Sequence, residues 1–107
     1  NLQIRNPQTH KSLLKMSEPK IDLYIKPECP WCIAVVAWLK KNGYRFREYD
    51  VISDESKFDE MVEMTGQSFA PCMRLRMDGS VDKILSDFGV EELVDLIEEI
   101  GLMPDNE

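Results

Sequence analysis

Between Ile21 and Leu39 the chain changes its hydrophobic period across only three residues, Lys26-Pro27-Glu28. Ile21 to Ile25 alternates and is rich in branched and aromatic side chains, so it reads as a strand that Pro27 stops. Cys29 then opens a helix. Pro30 suits the first helical position, because the N–H it lacks would be unpaired there anyway, and Ile33, Val36, Trp38 and Leu39 carry helical spacing up to Asn42-Gly43. A loop this short delivers Cys29 to a helix N-terminus at the end of a strand, the usual place for chemistry in an α/β sheet.

The rest of the chain extends that unit. Tyr44 to Val51 alternates as a second strand, and Ser53 is placed to cap a helix whose apolar face is Phe58, Met61, Val62 and Met64, ending at Thr65-Gly66. Met73, Leu75 and Met77 point one way between Arg74, Arg76 and Asp78. Asp78-Gly79 is a hairpin signal, with Val81 to Leu85 returning antiparallel. Val90, Leu93, Val94, Ile97 and Ile100 recur at helical spacing, with Glu91 and Glu92 in the favourable first turn and Gly101 as the stop. The order βαβ then αββα predicts one α/β domain with a four-stranded mixed sheet covered by helices on both faces.

Composition narrows the function. Of 107 residues 43% are apolar, enough for one core, and the longest apolar stretch, Ile33 to Leu39, falls far short of the ~20 residues that cross a bilayer. The net charge of −7 speaks against nucleic acid and anionic membranes as partners. Charge is uneven: residues 1–20 carry four bases, Arg5, Lys11, Lys15 and Lys20, against Glu18, a net of +3 that leaves about −10 on the remainder. We expect residues 1–19 to form an extension, either mobile or docked as a helix around Lys11 to Met16, with a possible alternative start at Met16. The domain itself is expected over 20–103 and a short tail over 104–107. The first residues lack the apolar run of a secretory signal, so the expected location is the cytoplasm.

Three cysteines cannot all pair within one monomer, and a core of this size needs no disulfide, so their use is chemical rather than structural. At a helix N-terminus, unpaired N–H groups and a partial positive charge favour thiolate over thiol, which makes Cys29 the expected nucleophile. Lys26 adds positive charge nearby and Glu28 opposes it. Cys32, one turn further in, is placed to attack a mixed disulfide on Cys29; being deeper, it should keep the higher pKa and act as the resolving thiol. Trp31 can form one wall of a substrate groove. Ala70-Pro71, ahead of the third strand, is either an ordinary strand-start proline or a cis turn that exposes the Ala70 backbone to an incoming peptide.

The segment Ile25-Lys26-Pro27-Glu28-Cys29-Pro30-Trp31-Cys32 resembles the active-site segment of dithiol glutaredoxins, and Thr65-Gly66 followed by Ala70-Pro71 is similar to the part that ends in that family's cis-proline. The resemblance spans roughly Lys20 to Ile100. It implies a thioredoxin-like fold and a glutathione-dependent thiol-disulfide oxidoreductase that reduces protein disulfides and glutathione mixed disulfides. In that scheme Cys29 and Cys32 form the redox-active disulfide, and Cys29 takes the glutathionyl group. Lys26 meets a glutathione carboxylate, and Trp31, Ala70 and Pro71 line its groove. Glutathione is the co-substrate, no cofactor is permanently bound and the protein is a monomer. Two segments depart from the family pattern. Phe69-Ala70-Pro71 stands for the usual Thr-Val-Pro, and Ser86-Asp87-Phe88-Gly89 replaces the usual Gly-Gly and following Asp residues that anchor the γ-glutamyl end. The second stretch loosely resembles glutaredoxin-like proteins reduced by thioredoxin reductase, the alternative electron donor.

Other readings of the same residues are plainer. Cys29 and Cys32 could be half of a zinc site, for which Cys72 and His10 are the only other thiol and imidazole. The resemblance also admits a [2Fe-2S] cluster shared between two subunits through Cys29 and two glutathiones. Cys72 reads as a small buried strand residue, Trp38 and the set Met61, Met64, Met73 and Met77 as core, and the acids from Glu91 to Glu99 as a solvated helix face.

Overall fold

The computed structural model describes residues 19–105. Its elements are β1 (Ile21–Ile25), α1 (Pro30–Lys41), β2 (Phe46–Asp50), α2 (Glu55–Thr65), β3 (Cys72–Leu75), β4 (Lys83–Ser86) and α3 (Val90–Ile100). The strands form one sheet in the order β2-β1-β3-β4. β1 runs parallel to β2 and antiparallel to β3, and β3 is antiparallel to β4. This is the mixed sheet that the sequence predicts. The expectations for His10 and for a helix over Lys11 to Met16 lie outside the described residues.

β1 is central and buried along its whole length. Successive side chains of a strand point to opposite faces, so Ile21, Leu23 and Ile25 go one way and Asp22 and Tyr24 the other. The first face packs with Cys32, Val35 and Leu39 of α1 and Leu93 and Ile97 of α3 in the larger core; the second packs Tyr24 with Val51, Met61 and Cys72. α1 and α3 thus cover one face and α2 the other.

The second face also holds a buried charge. Asp22 is fully buried, and its Oδ2 accepts from Arg76 at 2.6 Å and Arg74 at 3.4 Å. Arg74, its cross-strand neighbour, also donates to Glu60 on α2 at 3.3 Å and to the Tyr24 hydroxyl at 3.4 Å.

Several expected boundaries shift. Asp54, not Ser53, caps α2, its Oδ1 accepting from the amides of Ser56 and Lys57 at 3.1 and 3.3 Å; a carboxylate one residue later reaches the first-turn amides directly. The second strand is shorter than Tyr44 to Val51. Tyr44 instead stacks on Trp38 and donates its hydroxyl to Leu102 O at 2.9 Å. Val81 is 86% exposed and outside the sheet, because the chain needs the residues from Arg76 to Asp82 to turn, and β4 starts only at Lys83. On α1 the buried stripe is Cys32, Val35 and Leu39, which are three and four residues apart; Ile33 falls off that stripe and is exposed. Leu96 joins the buried face of α3, and Gly101 ends that helix in the left-handed region at φ 68°.

Candidate active site

The site is built where β1 meets α1. Cys29 is the N-cap of α1, with extended backbone (φ −87°, ψ 118°), and its amide closes the preceding turn by donating to Lys26 O at 3.2 Å. Its Sγ accepts the amide hydrogen of Cys32 at 3.2 Å. The N-cap position therefore sets a donor and the positive end of α1 against the sulfur. Cys32, on the inner side of the first turn, is buried, and its Sγ accepts the Lys26 amide at 3.5 Å. Burial pushes the Cys32 thiol up to about 12, the hydrogen bond with Cys29 adds to that, and the Lys26 amide pulls the other way. Cys29, Cys32 and Cys72 are all free thiols, with Cys29 half-buried.

The loop ahead of β3 forms the second wall. The Ala70–Pro71 bond is cis, and Ala70 O stands 3.7 Å from Cys29 Sγ, a weak S–H···O contact. Gln67 organises this loop. Its amide nitrogen donates to Thr65 Oγ1 at 3.0 Å, Phe69 O at 3.2 Å and Cys72 Sγ at 3.1 Å, while its oxygen accepts from Phe69 N at 2.7 Å. The bonds order the Phe69 backbone, and the Phe69 side chain is 62% exposed. Lys26 bridges the two loops, its ammonium donating to Ser68 O at 3.0 Å.

The start of α3 forms the third wall. Phe88 N donates to Pro71 O at 3.4 Å, and Gly89 N donates to Glu92 Oε1 at 2.9 Å. That bond first, and then the backbone amide of Glu92 itself, hold the Glu92 carboxyl below its ordinary range. A Cβ on Gly89 would stand 3.3 Å from the Trp31 ring, so glycine lets the indole lie against the helix start while remaining 65% exposed. Two open cavities flank the cysteines. One, of about 530 Å³, is lined by Lys26, Pro27, Glu28, Cys29 and Ile52; the other, of about 540 Å³, borders Cys32 and is lined by Ile25, Ile33, Val36, Lys40, Glu48 and Asp50 among others.

Cys29, Cys32, Lys26, Trp31, Ala70 and Pro71 therefore meet in one place. Cys72 does not join them: it is fully buried among Tyr24, Val51 and Met61, and burial raises its pKa. Sequence reasoning missed Gln67, Ile52 and the bond made by Glu92. A glutamate three residues after an N-cap is a known capping signal, but glycine at the cap supplies no partner side chain to announce it. Nothing in the pattern around Gln67 marks a loop clamp.

Comparisons with known proteins give the family and the fold. The profile of the glutaredoxin family matches residues 21–76, from β1 just past β3, and stops before β4 and α3. An uncharacterised glutaredoxin-like 8.6 kDa protein in the rubredoxin operon of Clostridium pasteurianum is 32% identical over 79 residues, which is 74% of this chain and 99% of that one. Among solved structures, the thioredoxin-like protein BC3987 is 28% identical, with a TM-score of 0.60 over 72% of this chain and 99% of its own. The glutaredoxin of Archaeoglobus fulgidus, 19% identical, shares the fold with a TM-score of 0.61 over 79% of this chain and 92% of its own.

Proposed function

The chain belongs to the glutaredoxin family, and from that premise we propose that it is a dithiol oxidoreductase reducing protein disulfides and glutathione mixed disulfides. The observation that carries this reading is the pairing of a half-buried Cys29, whose sulfur accepts the Cys32 amide, with a buried Cys32 one turn behind it. Cys29 thiolate attacks one sulfur of a disulfide, forming a mixed disulfide and releasing the other half as a thiolate that takes up a proton. Cys32, having lost its proton, then attacks Cys29 Sγ and expels the second substrate thiolate. The substrate gains two electrons, and the enzyme is left with a Cys29–Cys32 disulfide.

In this reading two glutathione molecules restore the dithiol and leave as glutathione disulfide, with Lys26, Trp31, Ala70 and Pro71 lining the groove and no cofactor permanently bound. The protein works as a monomer in the reducing cytoplasm. A second reading, reduction by a protein such as thioredoxin reductase, is favoured by one observation: Glu92 already occupies the Gly89 amide at the start of α3, where a ligand carboxylate would otherwise find a donor.

Turnover with glutathione and glutathione reductase, run beside turnover with thioredoxin reductase, separates the two readings. Cys29→Ser should abolish both activities. Cys32→Ser should keep deglutathionylation but lose reduction of protein disulfides. Full activity in Cys29→Ser would overturn the mechanism.

A further inference from the structure

Three large apolar side chains stand exposed at the rim of the site, and each comes from a different segment. Trp31 is 65%, Phe69 62% and Ile52 64% exposed. Each rises from an ordered stretch of backbone. Trp31 lies against Gly89 on the first turn of α1. Phe69 has its N–H and its C=O both bonded to the Gln67 side-chain amide, which orders the backbone that carries its ring. Ile52 sits in the turn after β2 with its N–H on Asp50 Oδ1 at 2.8 Å, and it shares a cavity with Cys29. Exposed apolar side chains grouped around a nucleophile make a surface that gains by being covered, because covering it removes apolar area from water.

The polar groups at the same rim point the same way. Gly89 N, a donor at the start of α3, already serves Glu92 Oε1, and the Lys26 ammonium uses one of its three N–H donors on Ser68 O. Glu28 lines the cavity beside Cys29, and the chain carries a net charge of −7. A small anionic thiol therefore finds the Gly89 amide already bonded and a molecule of net negative charge, and gains nothing from the apolar rim.

From this we infer that the preferred substrate is a disulfide-bearing protein segment with apolar residues beside its cysteine, seated across Trp31, Phe69 and Ile52, rather than a small anionic thiol compound. The inference rests on Cys29 being the attacking thiol, and it adds what that thiol is built to receive. An apolar side chain on either flank of the substrate cysteine covers one of the three rim residues, while a polar or acidic flank leaves them in water.

The test uses the full chain with dithiothreitol as terminal reductant, so that use of glutathione does not enter. Its substrates are the disulfide-linked dimers of three short peptides that differ only in the residues beside the cysteine: Leu and Val, Ser and Asn, or Asp and Glu. Each kcat/KM is taken relative to the uncatalysed rate of the same peptide. The Leu/Val peptide should exceed the other two by roughly tenfold, the size of one or two apolar contacts. In Phe69→Ser with Ile52→Ser, both surface positions, that ratio should fall to near one. Equal rates for the three peptides overturn the inference, as does a ratio that survives the double substitution. If the Ser/Asn peptide matches the Leu/Val peptide, charge rather than apolar contact decides, which also overturns it. If no peptide is reduced although iodoacetamide still labels Cys29, the exchange reading itself fails, and the inference fails with it.

Discussion

Cys32 must stay neutral while Cys29 attacks, yet it has to become a thiolate for the second exchange. Burial is the main reason its pKa stands near 12, and the side-chain hydrogen bond with Cys29, which favours the protonated Cys32 thiol, comes second. Once Cys29 is held in a mixed disulfide that second contribution is gone, while burial still keeps the thiol protonated near neutrality. Below its pKa the thiolate fraction of a group rises about tenfold per pH unit, and only the thiolate attacks. In single-turnover experiments on a preformed Cys29 mixed disulfide, release of the bound thiol should therefore rise about tenfold per unit from pH 6 to pH 8. A rate flat over that range would show that proton loss from Cys32 does not limit resolution. At this scale the cysteines were legible in the sequence, because a proline after Cys29 and a turn of spacing fix their places on the helix. Gln67 and Glu92 were not, because each acts through a bond to a backbone group whose position depends on the folded loop.

The sheet shows how pairing register creates an interaction that no single segment reveals. Alternation within β1 puts Asp22 and Tyr24 on one face, and alternation within β3 puts Arg74 opposite the inward Met73 and Leu75. Only the antiparallel register sets Asp22 directly across from Arg74. The strands were readable from their patterns, whereas the buried ion pair needed their alignment. The Asp22 side chain is 1% exposed, against 27% for Arg74 and 38% for Arg76, so the carboxylate bears most of the desolvation and the guanidinium groups keep contact with water. Among the described residues, removing it leaves Arg76 without a carboxylate partner and Arg74 with Glu60 alone, over a cavity where the buried carboxylate stood. Asp22→Ala should lower stability by about 3 kcal/mol, read from the urea midpoint, while thiol-disulfide exchange by the folded fraction stays at its wild-type rate. Asp22 lies at the opposite end of β1 from the Cys29 loop, so a loss of exchange rate in folded protein would contradict this placement. The β4 hairpin shows the reverse case: Asp78-Gly79 signals a turn correctly, but the chain spends Arg76 to Asp82 on it, and local pattern does not report loop length.

As a whole the molecule encloses thiols and phenols between its layers, and this sets its response to alkali. Tyr24 is raised to about 12 by burial first, with Arg74 opposing and Glu60 and Asp22 reinforcing. Cys32 is raised to about 12, and burial also raises Cys72 and Tyr44. Unfolding returns these groups towards their ordinary values, 9.0 for the thiols and 10.0 for the phenols. Below pH 9 both states hold the protons and nothing is gained or lost. Between about pH 9 and pH 12 the unfolded chain releases protons that the folded chain keeps, so the unfolded state binds fewer and stability falls as pH rises. Each group can raise the unfolding constant by up to about tenfold per pH unit in that window. The urea midpoint should therefore hold nearly level from pH 7 to pH 8.5 and drop steeply above pH 9. Cys32→Ser should make the drop shallower by the equivalent of one proton, because serine has no group that titrates there. A midpoint that stays level to pH 11 would mean that these groups ionise inside the folded protein, which the packing of Tyr24 and Cys32 within the two cores forbids.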